Sequence, residues 1–243
     1  MHRILLLNSK GGCGKTTLAT NLAAALAGCG LATVLIDYDG QGSSSSWLRS
    51  RAPQAAPIHG IEAFVDRTNV TRSYLLRVPE GTDRVVIDTP ANVKGQQLAD
   101  LVERTDSIVV PVLSSQIDID AVAGFLDALR ELERVRAGEV RIALVANRTR
   151  AKTVTSLDLQ RYLQRAEFAF VTQLRDSQNY LRAVESGRGV HELRGAAARR
   201  DREQWAPLLT WVEDGAQATA DVVITSAHAS ARGGRAGGHA LAG

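Results

Sequence analysis

Cysteine is close to absent. Cys13 and Cys29 are the only two among 243 residues and do not make a CxxC pair. A disulfide framework and a cysteine-held metal cluster are therefore excluded, and a reducing cytosol fits. Long apolar runs are missing as well, none approaching the roughly 18 residues that a bilayer span requires. The chain enters an apolar strand at once, without the charged and cleavable leader of an exported protein, so a cytoplasmic location is expected. Lysine is scarce: Lys10, Lys15, Lys94 and Lys152 are the whole set, and the rest of the 29 basic residues are arginine. GC-rich coding accounts for that bias before any selection for phosphate-gripping forks. A net charge of +3 does not by itself imply a nucleic-acid partner. The 44% hydrophobic and 23% charged content is that of a globular chain long enough for one full core. One folded unit is expected over residues 1–214. From 215 to 243 the chain turns to Ala, Gly, Ser and His with scattered arginines, which reads as a disordered tail.

The rest of the chain is organised around residues 4–17, ILLLNSKGGCGKTT. Ile4 to Leu7 is too short and too apolar for a surface helix and reads as a buried parallel strand. Gly11, Gly12 and Gly14 let the backbone that follows curl and aim several N–H groups at one point, which suits an anion. The helix starting near Lys15 adds the positive end of its dipole. Gly11, Gly12, Cys13, Gly14, Lys15, Thr16 and Thr17 thus form a candidate phosphate cradle, with Lys15 on the phosphate oxygens and the Thr16 hydroxyl on Mg²⁺. The usual P-loop has a glycine five positions before its glycine-lysine pair. Here that position is Ser9, and Lys10 follows it. A lysine at this first turn points away from its own helix, toward phosphates bound by a facing subunit. KGGCGKTT resembles the variant P-loop of the ParA/MinD family of dimeric ATPases, in which the extra lysine acts across the dimer interface.

Two further strand ends carry aspartates. LATVLIDYDG (31–40) ends in Asp37 and Asp39, and RVVIDTP (84–90) ends in Asp88; in a parallel sheet both ends face the nucleotide crevice. Asp39 is the candidate for orienting the attacking water, with Asp37 supporting the metal shell and the loop. The family has proline where this chain has Gly40, which should loosen the first switch loop. Asp88 looks like the family's Walker B aspartate, holding Mg²⁺ through water, with 89–95 as the second switch. The serine-rich, Trp-containing segment 43–51 resembles what succeeds the first switch in small ParA-type proteins. A short strand is expected near Ile58 and a helix over 70–77. Then follow a strand and helix over 107–138, a strand over 141–150 ending at Asn147, a helix over 153–165, a strand near 168–171 and a helix over 177–186. The resemblance assigns Asn147 to the adenine edge and Arg148 to stacking nearby, and it covers residues 3–213. The alternation of strands and helices makes a doubly wound, mainly parallel α/β sheet of the P-loop NTPase class.

The resemblance implies an ATP- and Mg²⁺-dependent ATPase that is slow, pairs as a homodimer when ATP is bound, and is stimulated by an adaptor protein. Such a dimer would coat the nucleoid through non-specific DNA contacts and partition a plasmid, a chromosome origin or a protein cargo. The candidate DNA set is Arg175, Arg182, Arg188, Arg194, Arg199, Arg200 and Arg202. Glu185, Glu192, Asp201 and Glu203 interleave with it, so ordinary ion pairs on a solvated face are the competing reading. A MinD-like membrane-cycling regulator is the alternative, but the tail AHASARGGRAGGHALAG lacks the amphipathic face it needs, so no membrane partner is expected. A metabolic P-loop enzyme is the third reading; an iron–sulfur carrier of that kind would want a CxxC pair.

Overall fold

The computed structural model describes residues 1–64, 77–151 and 153–233, with 218–233 as backbone alone. Seven strands make one sheet: β1 (His2–Leu6), β2 (Thr33–Asp37), β3 (Ile58–Glu62), β4 (Arg84–Asp88), β5 (Ser107–Val112), β6 (Arg141–Thr149) and β7 (Ala169–Arg175). Their order is β3-β2-β4-β1-β5-β6-β7, and every pairing is parallel. The helices among the described residues are α1 (Lys15–Gly28), α2 (Ser43–Arg49), α3 (Gly95–Glu103), α4 (Gln116–Arg130), α5 (Glu133–Arg136), α6 (Val154–Arg165), α7 (Gln178–Glu185) and α8 (Arg199–Gly233). The expected doubly wound P-loop architecture is therefore present, and over the described residues the sheet is wholly parallel.

The period-2 geometry of the strands splits the core into two layers. Leu5, Leu7, Val85, Ile87, Ile108 and Val110 point to the face covered by α3, α4 and α6. Ile4, Leu6, Val86, Val109 and Val145 point to the other, where α1 and α8 pack with Trp205 fully buried. Alanines 19, 23 and 24 of α1 are fully buried, so that this helix lies close against the sheet. β1 sits at the centre, with strands of earlier and later topology on either side. The loop after it opens at the carboxyl edge where strand order reverses, the usual place for a ligand in such sheets. Register pairs Asp37 with Asp88 and Leu6 with Asp88, which brings the two aspartate-bearing strand ends beside the glycine loop.

Several segments depart from expectation. The serine run, for which no element was expected, forms helix α2, with Trp47 buried. The helix expected to continue to 138 stops at Arg130, and the short α5 follows. Strand β7 runs further than expected, to Arg175. Of the helix expected over 70–77, residues 70–76 lie outside the described residues. Gly215, where the folded unit was expected to end, lies inside α8; residues 234–243 are outside the described residues.

Candidate functional site

The loop from Ser9 to Gly14 is built by local constraints. Asn8 anchors it, its Nδ2 donating to the Pro111 carbonyl at 2.7 Å while its Oδ1 accepts from the Lys10 amide at 3.1 Å. Gly12 (φ 75°) and Gly14 (φ 97°) take the left-handed conformation that side chains avoid. A Cβ on Gly14 would stand 2.3 Å from Asn147 Nδ2, so the position is also closed by sterics. Asn147 Nδ2 donates to the Cys13 carbonyl at 2.8 Å, which makes this residue a brace for the loop and commits the amide group expected to read a base. Burial pushes the Cys13 thiol above its ordinary range, so it packs rather than reacts. Lys15 folds back over the loop, its Nζ donating to the Lys10 carbonyl at 3.0 Å and to Asn8 O at 3.4 Å. Those carbonyls occupy the ammonium where phosphate oxygens would.

A cleft of about 480 Å³ opens from this loop, within the range of small-molecule sites. Gly12, Lys15, Thr16 and Asp39 line it together with Arg148, Gln178 and Leu181. Arg148 lines it with φ 50° and an ion pair to Asp176 at 3.6 Å.

The three aspartates have different surroundings. Asp37 is buried and hydrogen-bonded: Oδ1 accepts from the Asp39 amide at 3.0 Å, and Oδ2 from the Ser45 amide and hydroxyl at 2.9 and 2.8 Å. These three bonds fix the loop and the start of α2, so Asp37 supports the loop as expected, with one acceptor site of Oδ1 remaining. Asp39 is half-buried on the cleft wall, accepting from the Gln41 amide at 3.0 Å. Asp88 is wholly buried and neither of its oxygens makes a hydrogen bond. Burial, above all, pushes its carboxyl up to about 7; the neighbouring Asp37 charge adds to this, and the Thr16 and Ser44 hydroxyls oppose it. A buried carboxylate that closes no hydrogen bond, with the Thr16 and Ser44 hydroxyls facing it, is the hard-oxygen environment that a hydrated Mg²⁺ fits.

The Lys10 side chain is paired through Nζ to Asp118 Oδ1 at 2.6 Å near the start of α4. Asp118 was not anticipated. Partial burial works against its charge, yet Lys10 and Ser115 together hold its carboxyl below the ordinary range.

The arginine set divides. Arg175 grips the fully buried Asp201, with Nη2 to Oδ2 at 3.0 Å, and Ser177 and Asn179 donate to the same carboxylate. It ties β7, α7 and α8 together, so of the candidate DNA set its guanidinium is already engaged by a carboxylate. Arg202 donates to the Leu193 carbonyl at 2.9 Å, and Arg199 faces Glu203 at 3.5 Å. Among the described residues, the side chains of Arg182, Arg188, Arg194 and Arg200 make no hydrogen bond or ion pair.

Sequence reasoning missed Asn8, Ser44, Asp118 and Asp201. Asp201 sits in an Arg-rich run where acid reads as ordinary pairing. Ser44 is hidden in four consecutive serines, and only the orientation of α2 distinguishes it.

Residues 4–190 match the CobQ/CobB/MinD/ParA nucleotide binding domain. The chain is 28% identical over 213 residues to maintenance of carboxysome distribution protein A of Halothiobacillus neapolitanus, covering 86% of this chain and 95% of that protein. It is 35% identical over 163 residues to the chromosome-partitioning ATPase Soj of Thermus thermophilus, covering 57% of this chain and 64% of that protein, just under two thirds of its length. Among solved structures, a Cyanothece McdA variant in complex with ATP superposes with a TM-score of 0.65 at 17% identity, covering 88% of this chain and 96% of the other.

Proposed function

This chain belongs to the CobQ/CobB/MinD/ParA nucleotide-binding family, and on that premise we propose that it is a partition or positioning ATPase whose ATP-bound form is a homodimer that binds DNA non-specifically. The observation that carries the nucleotide reading is Asp88: a carboxylate buried and without a hydrogen bond beside Thr16, at the rim of a glycine cradle. The relatives named above include a chromosome-partitioning ATPase and a protein of carboxysome distribution; a role in moving DNA or a protein cargo is drawn from them.

Phosphoryl transfer asks for charge neutralisation and alignment rather than covalent help. The amides from Gly12 to Lys15 and the Lys15 ammonium take the phosphates. Mg²⁺, held by the Thr16 hydroxyl and through water by Asp88, would neutralise charge on the phosphates. Asp39, on the cleft wall, orients the attacking water; a carboxylate is a poor base toward water, so turnover is slow. The position of Lys10 at the rim supports a role toward the phosphates of a facing subunit. In this reading an adaptor protein accelerates hydrolysis and so opens the pair.

Asp39→Ala tests the reading. The variant should bind ATP as the parent does, hydrolyse it at least about a hundredfold more slowly, and elute as a dimer with ATP and Mg²⁺. Hydrolysis at the parental rate, or a monomer with ATP bound, would remove Asp39 and the pairing from the account.

A further inference from the structure

Among the described residues, four buried side-chain polar atoms lack a hydrogen bond, and three of them are both oxygens of Asp88 and Oγ of Ser44, whose hydroxyl faces the Asp88 carboxyl without closing a hydrogen bond to it. Buried hydroxyls nearly always find a partner, and a helical serine ordinarily turns back to a carbonyl one turn earlier. Ser44 does neither, although it is wholly buried. Its orientation is set from outside itself. Gly42 enters α2 with φ 62°, and Asp37 clamps the backbone and hydroxyl of Ser45. With the helix start so fixed, Ser43 and Ser46 face solvent, Ser45 faces Asp37 and Ser44 faces inward to Asp88.

We infer that Ser44 is a further positioning residue of the metal site, its hydroxyl serving as a second acceptor for a cation-bound water that Asp88 also holds. This rests on the reading of the cleft as a magnesium-nucleotide site. A water on a divalent cation carries two protons for donation; one goes to the Asp88 carboxylate, and the Ser44 oxygen is the nearby acceptor with no other use. The hydroxyl would then tie the first turn of α2 to the occupied metal position.

The test is a Mg²⁺ titration of the full chain with a fluorescent ADP analogue, comparing wild type, Ser44→Ala and the exposed control Ser46→Ala. Ser44→Ala should need about tenfold more Mg²⁺ for half-maximal nucleotide binding, as for other groups that orient a metal shell. Its nucleotide affinity in EDTA should equal wild type, and its metal-free unfolding midpoint should match wild type, since the Ser44 hydroxyl closes no hydrogen bond in the empty protein. A wild-type Mg²⁺ midpoint would overturn the inference, and so would a lowered metal-free stability, which would make Ser44 a packing residue. A wild-type protein whose nucleotide binding ignores Mg²⁺ would bring down the reading of the site as well, a result distinguishable from failure of Ser44 alone.

Discussion

A carboxylate closed off from water that closes no hydrogen bond is held against its own solvation. Asp88 is in that condition, and its folded-state pKa of about 7 lies above the ordinary carboxylate value. The sign follows: the stability advantage of the protonated form is fully present below about pH 4 and is lost as pH rises through 7. Asp88→Asn should therefore leave the nucleotide-free protein close to wild type at pH 4 and stabilise it at pH 8 by roughly 2–4 kcal/mol. Urea unfolding at the two pH values checks this, and the variant should lose its response to Mg²⁺. Lys15→Ala should abolish nucleotide binding, read by equilibrium dialysis with ATP; retained ATP-dependent pairing would count against the cradle. At this scale the sequence was legible where backbone chemistry leaves a spacing signature, as in Gly12, Gly14, Lys15 and Thr16. It was opaque where the role depends on which way a side chain faces. Asn147 was visible as a strand-end residue, yet its bond to Cys13 is a product of how β6 meets the loop.

Helix α2 shows what elements do with such residues. Its start is held by Asp37, and its far end is clasped to the segment 187–192. Trp47 Nε1 donates to the Arg188 carbonyl at 3.2 Å, and Arg51 lies 5.0 Å over the Trp47 ring. Arg51 also forks onto Glu192 at 2.8 and 3.1 Å, with both side chains largely buried. A Cβ on Gly187 would stand 2.0 Å from the Ser50 carbonyl, so the backbones touch. Arg51→Ala leaves Glu192 without its counter-ion and should cost about 2–3 kcal/mol in urea unfolding. Adding Glu192→Gln should cost less than the two changes separately, the mark of a direct pair. Buried strands such as β1, β4 and β5 were readable as short apolar runs between turn residues. Helix α2 was not, because serines carry little helix signal of their own and its stability comes from tertiary contacts at both ends.

For the whole molecule, alternation of strand and helix sufficed for a doubly wound sheet, whereas the order of strands needed the structure. That order sets the central position of β1 and lays Asp37 against Asp88. The structure also sharpens the surface. Arg175 is engaged by Asp201, whereas among the described residues the side chains of Arg188, Arg194 and Arg200 make no ion pair. Replacing these three by alanine should weaken ATP-dependent DNA binding, and should flatten its dependence on salt by roughly one unit of log–log slope for each phosphate no longer neutralised. An affinity and slope equal to wild type would put the DNA surface elsewhere. The contact between Lys10 and Asp118 has a consequence at this scale too. Under the proposed function, a lysine meant for a neighbour's triphosphate is tethered at home by Asp118 while the subunit is alone, so solitude is chemically comfortable and companionship requires an untying. Asp118→Ala cuts the tether, and light scattering at stepped ATP concentrations should then find the pair forming earlier than in the parent.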